Sequence, residues 1–183
     1  MIRCGTLDDA PGVARLLNAV IAEGAPVLLT GPFSDDEERA FLAALPARGG
    51  FHVAEEPRGA EAQGGPEPQS GAPPAVGAAP AIVAAQVFAP YAGEMPAHDH
   101  VTVMGTWVMS AWRRHGLGRA LSERTFALAR GRGFTKVFTD VRADNLDSLA
   151  FHLALGFSVA GTAHGQAIMG GRAYDVVFIE KGL

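Results

Sequence analysis

The stretch Trp107 to Leu121, W-V-M-S-A-W-R-R-H-G-L-G-R-A-L, constrains this chain most. An apolar, β-prone run passes through a short basic turn with two glycines and enters a helical pattern at once, which predicts a strand, an anion-holding turn and a helix. Gly116 and Gly118 carry no Cβ, so the backbone there can approach a ligand closely. The first N–H groups of the following helix have no partner within it, and together with the positive end of the helix dipole they favour a phosphate. Arg113, Arg114, His115 and Arg119 gather positive or titratable charge around the same turn. A pyrophosphate is the ligand this pattern predicts. Other phosphate loops fit less well. A Rossmann G-x-G-x-x-G needs Gly or Ala where Leu121 stands, although Asp140 follows at about the spacing of a ribose-binding acid, and a Walker loop needs a Gly-Lys-Ser/Thr that is absent.

A second element stands one helix and one strand further on: Asn145-x-x-Ser148-Leu149-x-Phe151-x-x-x-Leu155-Gly156-Phe157. With both elements in place the chain resembles the GNAT superfamily of acyl-CoA-dependent N-acyltransferases. Arg113-x-x-Gly116-x-Gly118 is similar to that family's Arg/Gln-x-x-Gly-x-Gly/Ala turn, and Val108 stands where its strand-ending valine lies. The second element resembles its Asn-x-x-Ala helix ending in Leu-Gly-Phe. The likeness is strongest over roughly residues 98 to 163 and weaker over Met1 to Pro57 and the C-terminal tail.

Composition sets the outer bounds. At 183 residues with 48% hydrophobic content the chain suits one globular domain. A net charge of -4 argues against a general nucleic-acid binder, whose affinity rests on a basic surface. Cys4 is the single cysteine, which excludes an intramolecular disulfide and gives no support to a cysteine-based zinc site; a reducing cytoplasm is the expected compartment. No run of about 18 uninterrupted apolar residues occurs and no basic-apolar leader opens the chain, so neither export nor membrane insertion is expected.

In chain order, Met1 to Thr6 reads as a strand with Cys4 as a small core residue, and Val13, Leu16, Leu17, Val20 and Ile21 recur at helical spacing. Pro26 to Phe33 is irregular and apolar. Ser34-Asp35-Asp36-Glu37 predicts a capping box for a second helix, and Phe51 to Ala54 a second strand. From Pro57 to Pro80 large apolar side chains nearly vanish and Pro and Gly make up almost half of the residues, so a flexible insertion is expected there. Ala81 to Phe88 and Val101 to Met109 read as the third and fourth strands, the fourth apolar enough for burial on both faces. His98-Asp99-His100 invites a metal reading, but no third ligand is placed by sequence; an exposed strand start is expected and no metal site. Leu117 to Arg130 and Asp147 to Leu155 read as helices around a strand at Val137 to Val141. Phe157 to Ala160 and Tyr174 to Ile179 read as final strands joined by a glycine-rich connection at Gly165 to Gly171. The order predicts an α/β domain of three layers, with a mixed, partly antiparallel sheet of about seven strands flanked by about four helices.

The resemblance implies the rest. It implies direct transfer of an acetyl group from acetyl-CoA to a primary amine of a small molecule or protein N-terminus. It also implies a slot for the pantetheine arm where the fourth and fifth strands diverge. Val108 and Met109 would lend backbone amides to the thioester, Arg113, Arg114, His115, Gly116, Leu117, Gly118 and Arg119 would hold the pyrophosphate, and Asn145 would lie near the cofactor arm. Leu28, Leu29 and Phe33 fall where the family often lines its acceptor site. The partners implied are acetyl-CoA and a small amine, without nucleic acid or membrane, and a homodimer is allowed. Two positions depart from the family. His152 stands where many members place the tyrosine that protonates the thiolate, which makes it the candidate general acid. Val103 and Met104 occupy the region of the family's glutamate, leaving Asp99, His100 and Glu23 as candidate bases on residue type alone. A sensor or binding module with the same fold remains the alternative.

Overall fold

The computed structural model describes residues 1–56, 81–93 and 95–183, and the insertion expected over 57–80 lies outside the described residues. The elements are β1 (Ile2–Cys4), α1 (Ala10–Ala22), α2 (Asp35–Ala43), β2 (Gly50–Glu55), β3 (Ile82–Pro90), β4 (Val101–Val108), α3 (Leu117–Gly131), β5 (Lys136–Arg142), α4 (Leu146–Ala154), β6 (Ser158–Met169) and β7 (Arg172–Gly182). The seven strands form one sheet in the order β1-β2-β3-β4-β5-β7-β6, in which only β4 and β5 run parallel.

The amphipathic pattern of each helix decides which face of the sheet it covers. Helix α1 enters on a first-turn proline and buries Val13, Leu16, Leu17 and Val20 against Val53, Ile82 and Val87. Gly12 lets it come close: a Cβ there would stand 2.7 Å from Ile82. Helix α2 begins with the expected capping box, the Ser34 hydroxyl accepting from Glu37 N–H while the Glu37 carboxylate accepts from Ser34 N–H at 2.8 Å. On the opposite face, Phe126 and Ala129 of α3 pack with Met104, Phe134, Val137, Phe157 and Ile179. The layers are thus helix, sheet and helix, as the element order predicts.

Three local expectations are corrected. Cys4 is exposed, not a core residue, because β1 is a short edge strand. His98 closes a 3₁₀ turn over Pro96–His98, so the His-Asp-His run does not start a strand. The glycine-rich segment 165–171 is not a long connection: β6 runs on to Met169, and Gly170 and Gly171, with φ of 55° and 77°, make the tight turn into β7. Two successive positive φ values suit a two-residue hairpin, and the strand extends past its apolar stretch because ladder hydrogen bonds need no buried side chain.

The central seam positions everything that follows. β4 and β5 are paired only at Val101↔Lys136 and Thr102↔Val137, and beyond that the two strands separate. The Thr139 hydroxyl then takes over from the ladder, donating to the Met104 carbonyl at 2.8 Å.

Candidate active site

On its other side β4 stays paired to β3 along its length, up to Ala84↔Val108. Met109 N–H continues this ladder by donating to Val83 O at 3.0 Å. Antiparallel alternation therefore turns the odd-numbered amides of β4 towards β3 and the amides of Thr106 and Val108 towards the opened seam. This corrects one expectation: the Met109 amide is already spent on Val83 and cannot polarise a bound carbonyl. It also adds Thr106, overlooked because its β-branched side chain marks only a strand; the two-residue alternation from Val108 was the signal that could have found it.

Past Met109 a 3₁₀ turn over Ser110–Trp112 leads to the basic turn. Arg114 and Gly116 adopt positive φ, 65° and 80°, and α3 follows directly with its first internal bond from Ala120 N–H to Gly116 O. The N–H groups of Leu117, Gly118 and Arg119 consequently have no partner within the helix. A Cβ on Gly116 would meet nothing, so the turn is open on that side, and Arg113, Arg114, His115 and Arg119 are all exposed around it. The His115 Nδ1 lies 2.8 Å from Arg113 O, and its ring centroid lies 6.4 Å from that of Trp112.

Two of these residues have a different job from the one expected. Arg113 donates through Nε to Val108 O at 3.0 Å and through Nη2 to Glu23 at 2.6 Å, while the other Glu23 oxygen accepts from Ser110 N–H. Partial burial pushes the Glu23 carboxyl up, but the Ser110 and Arg113 contacts outweigh it and hold the pKa below the usual range. Glu23 is a strut for the turn rather than a base. Gly118 faces α4, where a Cβ would stand 3.0 and 3.1 Å from the Phe151 ring, so its missing side chain brings the two helices together.

The Asn145 side chain caps α4, accepting from Ser148 N–H at 3.1 Å, and donates to Pro26 O at 3.0 Å. It ties the α1–α2 connection to the seam. That connection is docked: Phe33 exchanges hydrogen bonds of 2.7 and 2.8 Å with the Asn18 amide, and Leu29 and Phe33 pack on the α1 core.

His152, expected as the general acid, is enclosed. It is 7% exposed, between the edges of Phe151 and Phe157, and its Nδ1 lies 2.8 Å from Ser148 O. Facing a carbonyl, Nδ1 must carry the proton, and burial lowers the pKa although the Ser148 contact opposes it. The neutral ring then has no proton on Nε2 to give. Of the remaining candidate bases, Asp99 is paired with Arg48, and His100 lies at the closed end of the β4–β5 pair beside Lys136.

A cavity of about 470 Å³ abuts the seam on the α2 side. Phe41 of α2, Leu45 just past its end, Val87 of β3 and Trp107 of β4 form its walls, and Asp140 of β5 lines it together with Gly105; Leu28, Leu29 and Phe33 do not line it. Asp140 keeps contact with solvent by area, yet the surrounding apolar walls desolvate it and raise its pKa. Among the described residues, no group of three metal-ligating side chains comes together and no helix is long and apolar enough to cross a membrane.

Comparison with known proteins agrees with this geometry. Residues 73–157 match the model of the Acetyltransferase (GNAT) family. Aminoglycoside N(6')-acetyltransferase type 1 of Klebsiella aerogenes is 38% identical over 69 residues, a stretch covering 38% of this chain and 45%, under half, of that protein. An N-acetyltransferase from Staphylococcus aureus Mu50 superposes with a TM-score of 0.79 at 20% identity, over 100% of this chain and 97% of its own. A phosphinothricin acetyltransferase from Sinorhizobium meliloti in complex with AcCoA gives 0.79 at 17% identity, over 100% and 88%. At such identities the structural likenesses show the fold, and the family match falls on the strand, basic turn and helix where the seam opens. This chain is similar to the Acetyltransferase (GNAT) family over residues 73–157 and has the fold of these acetyltransferases.

Proposed function

We propose that the protein is an acetyl-CoA-dependent N-acetyltransferase that acts on a primary amine by direct transfer. The observation that carries this reading is the seam that parts after Thr102 and ends at an open turn of unpaired N–H groups and exposed arginines. The cradle suits a diphosphate, since Gly116 leaves its approach clear and Arg114 and Arg119 stand beside it. Acetyl-CoA supplies the activated acetyl group, as its presence in the Sinorhizobium relative suggests. The chain's own part is to orient and polarise. Thr106 and Val108 offer amides to the carbonyl oxygen as it gains negative charge, and Arg113 with Glu23 keeps Val108 in register with the turn. The cavity against the seam receives the amine.

Calorimetry with CoA and thiol release from acetyl-CoA across a panel of amines test the reading. Arg119→Glu places negative charge at the cradle and should weaken CoA binding at least tenfold, about 1.4 kcal/mol. Unchanged affinity in a folded Arg119→Glu variant, or no thiol release with any amine, would overturn it.

A further inference from the structure

The cavity beside the seam is unequal at its two ends. Its α2 side is hydrocarbon and aromatic: Phe41, Leu45 and Val87, with Phe41 52% exposed at the rim. Its β5 side holds Asp140, the one ionisable group lining the cavity among the described residues. Between them the Trp107 indole lies against Gly105, where a Cβ would be 2.5 Å from the ring. Gly105 is therefore the residue that makes room for the indole in a cavity that Asp140 also lines. A carboxylate beside an indole face is a receptor for one ammonium group, by charge and by cation–π attraction. Among the described residues no arginine or lysine lines the cavity, so there a substrate carboxylate or phosphinate finds no partner and a second ammonium no second acid.

We infer that the acceptor is a monoamine with an aromatic or apolar arm, held by Asp140 and Trp107, and that Asp140 takes the proton its ammonium must lose. The inference rests on the acetyltransferase reading above and specifies its acceptor. In the reaction the Asp140 carboxylate removes one proton from the ammonium. The freed nitrogen lone pair forms the bond to the acetyl carbon as the carbon–sulfur bond breaks, its electron pair leaves on sulfur, and the second nitrogen proton neutralises that thiolate. Asp140 returns its proton to water. The topology agrees: Asp140 and Gly105 line the same cavity, and Gly105 precedes Thr106, whose amide turns towards the seam. Desolvation raises the carboxyl's affinity for a proton, which suits a base, and no charged neighbour competes for it. On the same face of β5, Lys136 is paired with Glu180 at 2.6 Å and Arg142 with Asp144 at 2.6 Å; β4 and α2 present only apolar groups to the cavity.

The test compares three acceptors on the full chain: 2-phenylethylamine, L-phenylalanine, which adds only a carboxylate, and a polycationic aminosugar such as kanamycin. Phenylethylamine should exceed both others at least tenfold in kcat/KM. Asp140→Asn should lower kcat for phenylethylamine at least a hundredfold and remove the acid limb of its pH profile, with CoA affinity within about twofold of wild type. Phe41→Ala should raise KM for phenylethylamine several times more than it raises KM for a small amine such as ethylamine. CoA binding with faster turnover of phenylalanine or the aminosugar, or full activity in Asp140→Asn, would overturn the inference and leave the acetyltransferase reading standing. Absence of both CoA binding and thiol release would overturn the two together.

Discussion

Gly118 offers the sharpest separation between a role in ligand approach and a role in packing. Its Cβ, if present, would stand 3.0 Å from Phe151 Cζ and 3.1 Å from Cε2, against about 3.5–4.0 Å for a relaxed carbon contact. The ring would have to give way by several tenths of an ångström, and overpacking of that kind costs about 1–3 kcal/mol. Alanine recovers up to about 1 kcal/mol of helix propensity, less at a helix start. Gly118→Ala should therefore be net destabilising by about 0.5–2 kcal/mol, and lower Tm by about 2–6 °C in a chain of this size. In a Phe151→Leu background the obstructing ring edge is gone, so the same substitution should become neutral or stabilising. Urea unfolding of the four proteins of this cycle measures the coupling, and calorimetry should show CoA affinity within about twofold between glycine and alanine in each background. Additive stabilities, or a tenfold loss of CoA affinity with alanine in both backgrounds at unchanged Tm, would refute the packing argument and return Gly118 to the phosphate.

Two further outcomes follow from titratable groups. His152, with its native pKa depressed by burial, binds fewer protons folded than unfolded, so stability should fall as pH drops below the unfolded value of about 6.5 and level off below the native one. His152→Gln should flatten that slope in urea titrations between about pH 5 and pH 7 while keeping turnover within threefold; an unchanged slope, or lost turnover in the folded variant, would contradict the structural role. Asp9 accepts two Arg3 hydrogen bonds, at 2.6 and 2.7 Å, and Thr6 N–H at 2.8 Å, and the Arg3 contact holds its pKa below the ordinary range. Its stabilisation is present above the unfolded carboxyl pKa of about 3.9 and is lost as pH falls through the native value. Asp9→Asn should cost about 1–3 kcal/mol at pH 7 and progressively less as pH falls below the unfolded carboxyl value, and a loss that does not change with pH would refute the charge-based account.

The chain's own order of residues was enough for the local structure, the open basic turn before α3 included. A helix start announces itself within four or five residues, as Ser34 with Glu37 and Gly116 before Leu117 both do, and apolar periodicity over α1 and α3 names the buried faces. The basic turn is legible for the same reason: its N–H groups, glycines and arginines lie within a few consecutive residues. Everything that depends on two strands meeting was not. Asp140 looked at most like a distant ribose-binding acid, because nothing in a sequence says that β5 leaves β4 after Thr102 and brings this carboxylate beside Gly105 and Trp107. His152 kept its place in the motif but lost its proposed task once Ser148 O and the two phenylalanine rings enclosed it. Met109 and Val108 are neighbours in sequence with opposite fates, since pleating turns one amide into the β3 ladder and the other into the open seam. Local hydrogen bonding and hydrophobic period are properties of a few residues in a row. Desolvation, ladder parity and the pairing of charges belong to segments far apart in the chain, and only their packing decides them.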